Sequence, residues 1–232
     1  MAIDGWVCAT KMPSRTETDN QMAYRNRKGL WGFTVLAGCD ARTRFLMWCC
    51  NAKGSANDIM AWRQSAMFSE VFSKNLLPKK YFFIGDEAFI NEDQFLTPYG
   101  GRGIGIPKDS FNYHLSVRRQ TIERAFGILT KRWGVFQRPL ICGLERWSLI
   151  ATVGAKLHNI CIEMNVPVVP RHFADMLDGD DWIVNLNELP HNNDFRDGLK
   201  NVGGRRMTIT QSMAEQKIMR PSHASANSKA NH

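Results

Sequence analysis

A basic amphipathic segment constrains this chain most, because residues 112–133 have the pattern of one long helix. An apolar stripe recurs at i, i+4, i+7 and i+11 and consists of Ile122, Phe126, Leu129 and Trp133. The cationic side chains on the rest of its surface are Arg118, Arg119, Arg124, Lys131 and Arg132. Glu123 is the one acid among them, and it either pairs with Arg119 at i−4 or serves as a metal ligand.

The remainder of the chain alternates strand and helix patterns, which predicts a mixed α/β domain. Strand patterns cover residues 2–10, 31–39, 45–50 and 81–84, with a hairpin turn at 40–44. Helix patterns cover 55–68, 112–133 and 145–164. We therefore expect a hairpin that feeds a buried parallel strand, with helix 112–133 packed across the sheet.

Local signals give finer expectations for several elements. Ser55 is the expected N-cap of helix 55–68, with Asp58 three residues later as in a capping box. Residues 91–96 are expected to form one helical turn. The expected inner face of helix 145–164 consists of Leu149, Val153, Lys156 or Leu157, and Ile160. The first strand begins abruptly, so we expect it to be weakly anchored and the chain to lack an upstream segment.

Charge and composition change along the chain. Residues 1–164 hold 22 Lys and Arg against 14 Asp and Glu, whereas residues 165–232 hold eight of each. We expect one domain over 1–164, followed over 165–232 by a tail that is largely disordered or serves as an interaction tail. A basic folded part favours a polyanion, with nucleic acid ahead of an anionic membrane surface, and DNA affinity should fall steeply as salt rises.

Cysteines and hydropathy favour an intracellular protein. The six cysteines show no CxxC pair or zinc-finger spacing, which indicates free thiols in a reducing compartment. No leader pattern is present and no run reaches the roughly 18 apolar residues of a membrane span, so neither secretion nor membrane insertion is expected.

Three carboxylates are candidates for a metal site. Asp4 lies in the first strand pattern, Asp86 follows a buried strand, and Glu123 lies on the helix expected to cover that sheet edge. Carboxylate oxygens are the ligands that Mg²⁺ prefers, and phosphate oxygens can fill its remaining positions. Structural roles remain open: Asp4 could begin a turn with Gly5, and Asp86 could cap the turn that follows it.

Ordered motifs across residues 2–164 resemble the DDE-type endonuclease domain of PIF/Harbinger transposases and their domesticated derivatives. The matching pieces are AIDG at 2–5, YRNRKG at 24–29, CD at 39–40, GSANDIMAW at 54–62, FIGDEAF at 83–89, LTPYG at 96–100, FNYHLSVRRQTIERAFGILTKRW at 111–133 and LHN at 157–159. Each motif is weak by itself, and their shared order makes the resemblance specific.

The resemblance implies an RNase H-like fold and an acidic triad of Asp4, Asp86 and Glu123. It also implies DNA cleavage and strand transfer with Mg²⁺ or Mn²⁺, and candidate phosphate contacts in the five cationic residues of helix 112–133. A separate Myb-like DNA-binding protein is an implied partner, and an oligomer is left open. The expected location is the nucleus, with the cytoplasm as an additional location.

Departures from the family pattern leave other functions open. Asn57 stands where many relatives carry His, and Asp58 is expected to serve the helix start rather than the site. His158 and Asn159 are expected to be core or capping residues. The rival function is a non-catalytic DNA- or protein-binding module derived from a transposase, and a small-molecule phosphatase is a third possibility.

Overall fold

The computed structural model describes residues 1–168 and 204–222 of the chain. Its strands are β1 (Ala2–Ala9), β2 (Gly32–Cys39), β3 (Phe45–Lys53), β4 (Phe83–Ile84) and β5 (Phe95–Leu96). Its α-helices are α1 (Asp58–Arg63), α2 (Ile106–Arg132), α3 (Leu144–Glu163) and α4 (Arg205–Glu215). Short 3₁₀ segments cover Gln21–Tyr24 and Gly134–Gln137, and a π-helix covers Met67–Phe72.

The five strands form one mixed sheet in the order β3-β2-β1-β4-β5. β1, β2 and β3 are an antiparallel meander, whereas β4 runs parallel to β1 and β5 runs parallel to β4. Helices pack against the sheet, and buried apolar side chains form two separate clusters. The prediction of an RNase H-like mixed sheet with flanking helices is confirmed.

The first strand is firmly anchored, so the expectation of a weak β1 is wrong. β1 pairs along its whole length with β2 and lies at the centre of the sheet. On its other side the Ile84 N–H donates to the Met1 carbonyl at 3.0 Å. Ile3 is fully buried. Pairing on both sides therefore anchors this strand in the sheet.

Three predictions of local structure are wrong. Asn57, not Ser55, caps α1, because its side-chain oxygen accepts from the Met60 N–H at 2.9 Å. The helix ends at Arg63 and a π-helix follows, so no continuous helix extends to residue 68. The helical turn expected at 91–96 is absent, because Phe95–Leu96 adds a strand beside β4.

Helix α2 begins six residues before the predicted start and ends one residue before the predicted end. Its predicted apolar stripe faces the core, with Ile122 and Leu129 fully buried and Phe126 nearly so. Phe126 stacks on Trp6 of β1 with 5.7 Å between ring centroids. The helix therefore packs across the central strand, as its periodicity predicts.

The inner face of α3 is not the predicted one. Leu149, Val153, Leu157 and Ile160 are exposed, whereas the buried side consists of Trp147, Ala151, Gly154, Ala155, His158 and Ile162. Small residues face inward because the helix lies close to its neighbours. A Cβ at Gly154 would come within 2.6 Å of the Phe136 ring.

His158 and Asn159 are structural residues, as expected. The His158 ring is fully buried, and its Nε2 lies 2.8 Å from the Thr43 carbonyl oxygen. Asn159 accepts from the Phe45 N–H and donates to the Phe45 carbonyl, each at 2.8 Å. Together they attach α3 to the β2–β3 hairpin.

All six cysteines are free thiols, which confirms that the chain has no disulfide framework. Within residues 1–168 and 204–222, no helix combines the length and apolarity needed to cross a bilayer.

Part of the predicted tail is packed on the domain. Helix α4 lies against α2, and its Ile209 and Met213 are buried in the same cluster as Phe111. The prediction of a disordered tail did not include this contact. The rest of that prediction, over 169–203 and 223–232, lies outside the described residues.

A pair of isoleucines on α3 tests its corrected orientation. Ile162 is 1% exposed and Ile160 is 52% exposed. Ile162→Ala should lower the free energy of unfolding by about 2–5 kcal/mol, because it empties a packed site. Ile160→Ala should change it by less than about 0.5 kcal/mol. Equal losses in urea denaturation would contradict the observed orientation.

Candidate metal centre

Parallel pairing of β1 with β4 brings Asp4 and Asp86 together. Ala2 pairs with Ile84, so Asp4 and Asp86 each lie two residues beyond a paired position on neighbouring parallel strands. Both carboxylates therefore emerge at the same level of the sheet, at the end where β4 stops. This register is why two acids far apart in the chain become neighbours.

Asp58 joins them from α1, and its carboxylate lies against Gly5 of β1. It is the first residue of α1, and Asn57 already caps that helix. A Cβ built on Gly5 would lie 2.0 Å from Asp58 Oδ1, so only glycine at position 5 leaves room for this carboxylate. The prediction that Asp58 mainly serves the helix start missed this approach.

One oxygen from each of Asp4, Asp58 and Asp86 lies within 4.8 Å of the others. Oxygens bound to one Mg²⁺ at about 2.1 Å are separated by about 3–4.2 Å, so a modest contraction would allow a shared ion. The donors are all carboxylate oxygens, which favour hard cations such as Mg²⁺ or Mn²⁺ over softer metals. The arrangement fits a divalent metal site.

Burial and the neighbouring acids disfavour the charged form of Asp4. The side chain is 18% exposed, and desolvation raises its pKa to about 6, with smaller increases from Asp86 and Asp58. A hydrogen bond from the Gly5 N–H at 2.9 Å and the charge of Arg119 oppose the rise. The ionised form of Asp4 is therefore energetically disfavoured at neutral pH, and a bound cation would stabilise it.

The pKa of Asp58 is raised as well, first by burial and then by the charge of Asp86. The Arg27 guanidinium lowers it. Arg27 belongs to the polar loop that precedes β2, so this loop brings positive charge toward the acids.

Arg119 on α2 links Asp4 to Glu123. Its Nη1 donates to Asp4 Oδ2 at 3.2 Å and to Glu123 Oε1 at 2.7 Å. The i−4 pairing of Glu123 is therefore confirmed, and Glu123 is half exposed. The guanidinium lies between Asp4 and Glu123, and Glu123 does not belong to the group of three carboxylates formed by Asp4, Asp58 and Asp86.

A cavity of about 300 Å³ opens beside Asp86. Its lining residues are Gly85, Asp86, Glu87, Pro98, Leu115, Ser116 and Arg119. Leu115 and Pro98 supply apolar walls, and Arg119 supplies positive charge opposite Asp86. The cavity could therefore hold a phosphate group next to the acidic cluster.

The five predicted phosphate contacts do not share one environment. Arg119 lies at the acids, whereas Arg132 donates to the Val166 carbonyl at 2.8 Å and holds the end of α3. Arg124 lies near Cys39, whose pKa it lowers against the larger opposing effect of burial. Arg118 and Lys131 are exposed.

Comparisons with known proteins give the family of this chain. A family model described as DDE superfamily endonuclease matches residues 3–159. The chain is 27% identical over 174 residues to "Putative nuclease HARBI1" of Rattus norvegicus, covering 72% of this chain and 47% of that protein. The Homo sapiens protein of the same name is 27% identical over 173 residues, covering 72% and 46%.

A more distant vertebrate relative shows the same relation. The Xenopus laevis protein of that name is 24% identical over 192 residues, covering 80% of this chain and 53% of the relative. The chain thus spans about half the length of the curated relatives it matches. No solved structure matches this chain.

Gly5→Ala tests whether Asp58 belongs to the metal site. The added methyl would displace the Asp58 carboxylate, so Mn²⁺ affinity measured by calorimetry should fall by about 10–100-fold. Gly127→Ala is the matched control, because a Cβ there meets nothing within 4 Å. That variant should keep wild-type affinity, and unchanged affinity in Gly5→Ala would remove Asp58 from the site.

The raised pKa of Asp4 predicts an unusual pH dependence of stability. Between the ordinary value of 3.8 and about 6, the folded state holds a proton that the unfolded chain releases. Metal-free protein should therefore lose roughly 2–3 kcal/mol of unfolding free energy through this group as pH rises across that window. Asp4→Asn should flatten the profile in urea titrations, and an unchanged slope would contradict the assignment.

Proposed function

This chain belongs to the DDE superfamily endonuclease family, and we propose that it is a metal-dependent DNA endonuclease of the transposase type. Its proposed reactions are phosphodiester hydrolysis and strand transfer at transposon ends. The observation that carries the proposal is the convergence of Asp4, Asp58 and Asp86 beside a cavity with a cationic wall.

The proposed cofactor is Mg²⁺, with Mn²⁺ as a substitute. Asp4, Asp58 and Asp86 would hold it, and Glu123 would contribute once its carboxylate separates from Arg119. When bound, the cation supplies positive charge that activates a water or hydroxyl nucleophile and stabilises the leaving oxygen.

Backbone contacts orient the carboxylates for this role. The Gly5 N–H donates to Asp4 Oδ1 at 2.9 Å, and the Ala88 N–H donates to Asp86 Oδ1 at 2.9 Å. Each contact occupies one oxygen and limits rotation of the carboxylate. The acids are therefore oriented before a ligand arrives, which lowers the ordering cost of binding.

Arg119 supplies the proposed phosphate contact. Its planar guanidinium can donate two parallel hydrogen bonds to phosphate oxygens, which a lysine could not reproduce. It lies in the cavity wall and already contacts Asp4 and Glu123. The same side chain can thus neutralise the free acids and bind a phosphodiester when one is present.

A polymeric substrate accounts for the charge better than a small phosphate ester does. The excess of Lys and Arg lies within residues 1–164, and Arg27, Arg118 and Lys131 extend it beyond the cavity. Long cationic surfaces bind a phosphate backbone at several points. We therefore propose DNA as the partner, the nucleus as the location, and a Myb-like protein as an additional DNA-recognition partner.

A cleavage assay on terminal-repeat DNA tests the function. Wild type should cut with Mg²⁺ or Mn²⁺, and chelation should abolish cutting. Asp86→Asn and Glu123→Gln should each reduce the cleavage rate by more than about 100-fold. Substituting a residue that only hydrogen-bonds to a metal ligand typically costs less than this. Initial rates at saturating DNA are the measurement.

Glu70→Gln is the matched control for Glu123→Gln. Glu70 is another exposed acid that pairs with a cation four residues away, Lys74, and it lies in the π-helix. The Glu70→Gln variant should cut DNA at the wild-type rate. DNA binding without cutting would instead support a non-catalytic module, and turnover of a generic phosphomonoester without DNA cutting would support a phosphatase.

A further inference from the structure

A C-terminal segment holds together the parts of the chain that build the proposed site. Residues 204–220, which we name the C-terminal strap, contain α4 and pack against the first half of α2. Ile209 and Met213 are buried in the cluster that contains Leu115, a residue of the cavity wall. The strap also carries three arginines that contact three different segments.

Arg205 fastens the chain that leads into β4. Its guanidinium donates to the Tyr81 carbonyl at 3.0 Å and to the Lys79 carbonyl, and it lies over the Phe82 ring. β4 begins at Phe83, directly after Phe82, and Asp86 lies shortly after the end of this strand. This contact therefore anchors the segment that precedes β4.

Arg206 contacts the segment that forms one wall of the cavity. Its Nη1 donates to the Pro98 carbonyl at 3.0 Å and to the Thr97 carbonyl at 3.3 Å. Its guanidinium also stacks 4.1 Å from the centre of the Tyr99 ring. The Tyr99 hydroxyl lies 3.1 Å from Thr210 Oγ1, so the strap contacts this wall through two of its side chains.

The chain just after this wall has few contacts of its own. A Cβ at Gly100, Gly103 or Gly105 would meet nothing within 4 Å, and Gly103 and Gly105 have positive φ. Asn112 also holds Tyr99: the Tyr99 N–H donates to Asn112 Oδ1 at 2.8 Å, and Asn112 Nδ2 donates to the Tyr99 carbonyl at 2.9 Å. Arg206 and Asn112 therefore both hold the segment at Pro98 and Tyr99, to which the Phe111 ring and Lys108 contribute through the Tyr99 ring.

Arg220 attaches the end of the strap to the first turns of α2. Its N–H donates to Ser110 Oγ at 3.1 Å, its guanidinium donates to Asp109 at 3.2 Å, and it lies over Tyr113. The strap thus contacts the chain before β4, the Pro98 wall and the helix that carries Arg119. It makes these contacts from more than 90 residues away in sequence.

We propose that the C-terminal strap positions the cavity wall for substrate, with Arg206 as the positioning residue that fixes Pro98 in the cavity that Arg119 also lines. The proposal rests on the proposed nuclease function, since the cavity is taken as the place where DNA phosphate binds. The strap sets the affinity for DNA rather than for metal, because its arginines contact none of Asp4, Asp58 and Asp86.

Kinetics of the full chain test this proposal. Arg206→Ala should raise the KM for terminal-repeat DNA by roughly 10–100-fold, the scale of a displaced positioning contact, and leave kcat within about threefold. Mn²⁺ affinity should stay within twofold of wild type.

Arg206→Lys keeps a hydrogen-bond donor but loses the planar group that stacks on Tyr99. Its KM should therefore lie between the values of wild type and Arg206→Ala. Arg146→Ala, at an exposed helical arginine, is the matched control and should change none of these values.

Hydrogen exchange separates failure of the strap from failure of the nuclease function. Amides of residues 99–105 should exchange faster in Arg206→Ala, whether or not the protein cuts DNA. If wild type does not cut and exchange still rises, the nuclease proposal fails while the structural role of the strap stands. Unchanged exchange, or a wild-type KM in an active enzyme, overturns the strap proposal.

Tyr99→Phe keeps the proposal testable if Arg206→Ala does not fold. It removes only the hydroxyl contact with Thr210 and keeps the ring on which Arg206 stacks. A smaller rise in KM in the same direction supports the proposal. An equal loss of kcat and metal affinity in this variant would indicate general destabilisation and would overturn it.

Discussion

The pairing of β1 with both of its neighbours is the constraint on which this structure depends. On one side β1 forms a full antiparallel ladder with β2, and on the other it meets β4 in parallel. The parallel register places Asp4 level with Asp86. A shift of one residue would turn Asp4 to the opposite face of the sheet, away from Arg119, and the acidic site would not form.

Three acids at one edge repel one another, and the fold offsets that repulsion with positive charge. Arg119 bridges Asp4 and Glu123, and Arg27 acts on Asp58. The pKa of Asp4 is nevertheless raised, chiefly by burial and to a smaller extent by Asp86 and Asp58, so its charged form remains disfavoured. A cluster of carboxylates whose charged forms are disfavoured contributes little to stability, and this supports the proposed cation site.

Local patterns predicted most of the scaffold. The hairpin at 40–44, the buried β4 and the stripe of α2 each follow from signals within a few residues, and all three are present. The inner face of α3 was predicted wrongly because apolar side chains lie on both sides of that helix. Contact distance decided between the faces: Ala151, Gly154 and Ala155 are small enough for α3 to lie close to Phe136.

The sequence by itself determined the fold class, the candidate acids Asp4, Asp86 and Glu123, and the pairing of Glu123 with Arg119, because these depend on side-chain type and short-range periodicity. Only the tertiary structure decided that Asp58 approaches over Gly5 and that α4 returns to the cavity wall. Both contacts join segments more than 50 residues apart. Their formation depends on how the sheet and helices pack, which no local pattern encodes.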